Sequence, residues 1–69
     1  MIRSDKNFDV VEDRWIGTIE CGDSIEISVI SENGIGYIVR WDDKGNIEKY
    51  EIDEFISVAR SLVEELSDT

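Results

Sequence analysis

Ile25-Glu26-Ile27-Ser28-Val29-Ile30-Ser31-Glu32-Asn33-Gly34-Ile35-Gly36-Tyr37-Ile38-Val39-Arg40-Trp41 reads as two β-strands around a turn. Both halves are rich in β-branched and aromatic residues, and Asn-Gly favours a two-residue type I′ turn because both central residues take positive φ there. Two registers compete. A two-residue turn sets Ile27 opposite Arg40 and Val29 opposite Ile38. An odd-length loop instead puts Ile25, Ile27 and Val29 on the same side as Tyr37, Val39 and Trp41. A one-residue slip inverts every side chain, and gathering six large apolar groups weighs more than one local turn preference, so the odd register is expected.

Two further runs of strand type flank this pair: Trp15–Cys21, joined through Cys21–Ser24, and Ile47–Ile52, joined through Asp43–Asn46. An even second loop pairs Val39 with Tyr50 and Tyr37 with Ile52, and the first strand adds Trp15, Gly17 and Ile19 to the same side. At Asp53 the period changes. Phe55, Ile56, Ala59, Leu62, Val63 and Leu66 recur at helical spacing, with Asp53 as N-cap and Arg60/Glu64 as a surface pair. The fold class expected is α+β: a four-stranded antiparallel β-meander over residues 15–52, with one C-terminal α-helix over 53–66 packed on one face (ββββα). Residues 1–14 either extend the first strand or wrap the sheet edge, and 1–7 read as loose.

The chain of 69 residues reads as one small domain with no internal repeat, linker or low-complexity segment. Its eleven Ile and six Val against two Leu and one Ala set the β-rich character. Area scaling gives about 4,400 Å² for a folded chain of this size, roughly 60% of the unfolded surface being buried. With no His and one Cys, the usual zinc, copper and iron–sulfur ligands are missing, and so is the commonest proton-transfer residue near neutral pH. No metal, cofactor or catalytic residue is therefore expected. The lone Cys21 makes no intrachain disulfide, and the charged N-terminal stretch carries no export signal or membrane span, so a reducing, cytoplasmic setting is expected.

Each candidate chemistry has an ordinary reading. Asp42-Asp43-Lys44-Gly45-Asn46-Ile47-Glu48 is oxygen-rich, but Lys44 stands where a calcium loop needs its second ligand, and Gly45 comes too early; it reads as a hairpin turn. Cys21 lies between Glu20 and Asp23, which disfavour a thiolate. The serines lack a histidine partner. Trp15 and Trp41 read as core. No enzymatic activity is expected.

Charge and one sheet face survive this filter. Seventeen Asp and Glu against seven Lys and Arg give −10, beyond the magnitude of roughly 2–8 that solubility asks of a small domain. Residues 1–21 carry three basic and five acidic groups, residues 22–46 two and five, and residues 47–69 two and seven, so negative charge rises along the chain. Such a field repels nucleic acid and anionic membranes and attracts basic protein surfaces. The leading expectation is a non-enzymatic binding module, an inhibitor or nucleic-acid mimic docking on a basic partner through Asp42, Asp43, Glu48, Glu51, Glu54 and Glu64. Small phage-encoded antagonists of host defence and immunity proteins against nuclease toxins are of this general kind. The competing expectation is a self-associating structural domain, a homodimer, using an outer apolar patch of Ile16, Ile30 and Ile38, where Ile30 and Ile38 are neighbours.

Overall fold

Asn33 and Gly34 have φ of 52° and 80° in the computed structural model, which describes residues 1–68. These are the positive values a type I′ turn requires, and Glu32 accordingly pairs directly with Ile35. The turn fixes the register. Val29 lies opposite Ile38, so the odd loop expected from the apolar pattern is overturned. The physical reason is that both faces of the sheet are apolar here, so hydrophobic matching does not discriminate between registers and the local backbone preference does.

The sheet has five strands, not four: β1 (Ile2–Asp9), β2 (Arg14–Cys21), β3 (Ile25–Glu32), β4 (Ile35–Trp41) and β5 (Ile47–Glu51), followed by α1 (Ile52–Ser67). All neighbours are antiparallel, in the spatial order β1-β2-β3-β4-β5. The expectation of an irregular N-terminal segment is corrected: β1 pairs along the whole of β2, from Ile2 with Cys21 to Asp9 with Arg14. Asp9 closes the intervening loop, its Oδ1 accepting from the Val11 and Glu12 amides at 2.9 and 3.0 Å.

The β4–β5 hairpin departs from expectation by one residue. Trp41 pairs with Ile47 around a five-residue loop, so Val39 faces Lys49 rather than Tyr50, and Tyr37 faces Glu51 rather than Ile52. Asp42 imposes this length. Its Oδ1 accepts from the Lys44 and Asn46 amides at 2.9 and 2.8 Å, while its own amide donates to the Asn46 carbonyl.

Directly opposed residues share a face of an antiparallel sheet. One face therefore carries Arg14, Ile16, Ile30, Glu32, Tyr37, Val39, Ile47 and Lys49, and it holds the buried residues of the described chain. These are Ile16, Ile30 and Val39, at 7%, 4% and 4% exposure, with Tyr37 and Ile47 packed against them. The other face carries Lys6, Phe8, Trp15, Gly17, Ile19, Ile25, Ile27, Val29, Ile38 and Arg40.

The helix is not packed across a face, as expected, but projects from one end. It begins directly where β5 stops, approaches only β4 and β5, and buries none of its residues. Its root is fixed at one point. Gly36 leaves room for Ile52, whose Cδ1 lies 3.2 Å from where a Cβ on Gly36 would stand. Glu51 occupies the N-cap with extended backbone and no capping hydrogen bond, two residues before the expected cap at Asp53.

Candidate functional site

Four of the seven cations are consumed inside the sheet. Arg3 pairs with Glu20 at 3.1 Å, Arg40 with Glu48 at 2.8 Å, and Glu32 receives both Arg14 at 2.8 Å and Lys49 at 2.7 Å. Lys6 lies over the Trp15 ring, 5.8 Å from its centroid. Three of the seventeen carboxylates take up these four cations, so among the described residues the other fourteen have no ion-pair partner. Exposed pairs add little stability, but they do decide which charges remain to face a partner.

The six carboxylates expected to form an acidic surface separate accordingly. Asp42 is turned into its own loop, where the amides of Asn46 and Lys44 hold its carboxyl below the usual range. Glu48 is held down chiefly by Arg40 and also by the Tyr50 hydroxyl, which donates to it at 2.9 Å; the same contact pushes the Tyr50 phenol up. Asp43, Glu51, Glu54 and Glu64 make no ion pair among the described residues. Two of them come together. Glu51 ends β5 and Glu54 lies in the first turn of α1, and both line a groove of about 330 Å³ with Lys49, Tyr50, Phe55 and Val58. Glu64 lies ten residues beyond Glu54, about 15 Å along the helix, and is not part of it.

Carboxylates beside exposed aromatic and aliphatic side chains form the complement of a basic side chain with an apolar stem. Tyr50 and Phe55 escaped the sequence reading. Their signal is the absence of any Gly, Pro, Asn or Ser between Ile47 and Phe55, which lets strand run straight into helix and folds residues 49–58 around one groove. Among the described residues no three His, Cys, Asp or Glu side chains converge as a metal ligand set. No helix among them is long and apolar enough to cross a membrane.

The expected apolar patch does not form. Ile16 and Ile30 belong to the buried core, and Ile38 lies on the opposite face of the sheet. Register is the reason, since the type I′ turn sets Ile30 opposite Tyr37 and Ile38 opposite Val29.

No protein-family model matches the chain, and no curated protein or solved structure matches it either.

Proposed function

We propose that the protein is a non-catalytic binding module whose acidic surface docks on a basic surface of a partner protein, as an inhibitor or nucleic-acid mimic does. The observation that carries this is the distribution of charge: among the described residues, internal pairing takes up four of the seven cations and leaves fourteen carboxylates without one. The groove formed by Glu51, Glu54, Tyr50 and Phe55 is the point at which a Lys or Arg of the partner is bound. A field of this sign accelerates encounter with basic surfaces and disfavours nucleic acid itself.

Capture from a cell lysate on immobilised protein, eluted by rising salt and identified by mass spectrometry, tests this reading. A basic, nucleic-acid-handling protein is expected to leave the column between about 0.2 and 0.5 M salt, where screening becomes severe. Glu51→Gln combined with Glu54→Gln should move that release to lower salt. Retention indifferent to 0.5 M salt, or no basic protein retained at low salt, overturns the proposal.

A further inference from the structure

A single chain leaves too much uncovered. Its accessible surface is 5859 Å², against about 4,400 Å² for a compact chain of this size. Its radius of gyration is 14.2 Å against about 11 Å, and its long axis is 47 Å. The surplus, on the order of 1,400 Å², exceeds the roughly 800 Å² per partner that a stable interface buries.

Two broad apolar surfaces contribute to this surplus. The first is α1, whose stripe of Ile56, Ala59, Leu62 and Val63 continues from Ile52, with Phe55 at its margin beside the acidic groove; Ile56 and Leu62 are 41% and 53% exposed. Sixteen residues are marginal as an isolated helix, so this one depends on something packing against its stripe. The second is the sheet face opposite the core, where Trp15 is 62% exposed beside Gly17, Val29 and Ile38. A groove of about 310 Å³ crosses this face, lined by Lys6, Trp15, Gly17, Val29 and Ser31 and ending at Ile52.

The helix cannot cover this face in its own chain. No loop separates β5 from α1, and the helix packs only on β4 and β5, so beyond Ile52 at its root it leaves β1 to β3 uncovered. Charge selects the occupant. On this face the strands carry just three charged side chains, Lys6, Arg40 and Glu48, and the last two neutralise each other. In a molecule of net charge −10, this face carries no unpaired carboxylate on its strands among the described residues. It suits an apolar helix flanked by acids, and α1 carries Asp53, Glu54, Glu64 and Glu65 around its stripe.

We infer that two copies of this chain exchange their helices, α1 of each lying across the Trp15–Val29–Ile38 face of the other. The contact is isologous and closes at two chains, burying both uncovered surfaces at once. It stands on packing and not on the docking of a basic partner, so either can fail alone.

The test uses the full chain with Cys21→Ser and Ser61→Cys, which carries a nitroxide on the polar side of α1. Unlabelled-isotope spin-labelled chain is mixed with ¹⁵N chain, and native mass is measured by light scattering on the same mixture. The expected mass is twice that of one chain, with broadening of the Gly17, Val29 and Ile38 amides. A single-chain mass overturns the inference. So does a dimer whose broadening is confined to helix amides, which is a helix pair, or to β1 or β5, which is edge pairing. An unlabelled Ile38→Lys chain, altered at a half-buried position outside the Ile16–Ile30–Val39 core, should lose the doubled mass while keeping its sheet spectrum.

Discussion

Gly34 and Asp42 show how much one residue can fix. Gly34, at φ 80°, completes the turn that decides which side chains of β3 and β4 share a face. An L side chain there is strained by about 1–2 kcal/mol, so Gly34→Val should lower unfolding stability by that amount in urea titration. Asp42→Asn should also destabilise, because an amide oxygen accepts the Lys44 and Asn46 amides less strongly than a carboxylate. Glu32 gives a pH dependence. Lys49 first and Arg14 second hold its carboxyl below the usual range, so its folded value lies under its unfolded one. A depressed value of this kind stabilises the fold above the unfolded pKa and is lost as pH falls through the folded one. Stability should therefore decline on acidification below the ordinary glutamate range, and Glu32→Gln should flatten that part of the curve. The Asn33-Gly34 signal was legible from the outset. The count of apolar residues on one face argues for the other register, and such a count misleads when both faces of the sheet are apolar.

At the scale of elements, the helix and β2 to β5 are legible because the apolar period changes cleanly from two to about 3.6 at the end of β5. β1 is not. Its eight residues hold only Ile2 and Phe8 as apolar groups, and Arg3, Asp5, Lys6 and Asp9 read as loop; in the fold they protect a sheet edge, where charge guards against further pairing. The docking of the helix was equally illegible, because periodicity shows that a stripe is to be covered and not which chain covers it. The N-cap offers a separate test. Glu51 has the backbone of a cap without its hydrogen bond, so Glu51→Asp should stabilise the helix by about 0.5–1 kcal/mol in thermal unfolding while keeping the charge in the groove. Leu62→Glu, in the stripe, should reduce both helicity and native mass. Ser61→Glu, one residue away on the polar side, should change neither.

For the whole molecule, two interactions with opposite electrostatics are assigned to one small chain, and salt separates them. Docking on a basic partner joins unlike charges, so it weakens as the Debye length shrinks from about 14 Å at 0.05 M salt to about 4 Å at 0.5 M. Self-association brings together two chains of −10 each, and its contact is an apolar stripe on a face with almost no net charge. Screening then removes repulsion without touching the attraction, which is burial of apolar surface. Sedimentation equilibrium over this salt range should show the dimer strengthening, while partner capture over the same range falls away. Among the described residues, the carboxylates left without ion pairs lie on the helix, at the loops and on the core face of the strands, not on the face that receives the exchanged stripe. Two chains therefore present their negative surfaces together, and partner affinity per assembly should drop when Ile38→Lys separates the copies, even though Glu51 and Glu54 remain in place. If capture is unchanged in that variant, each chain docks on its own and the dimer serves stability alone.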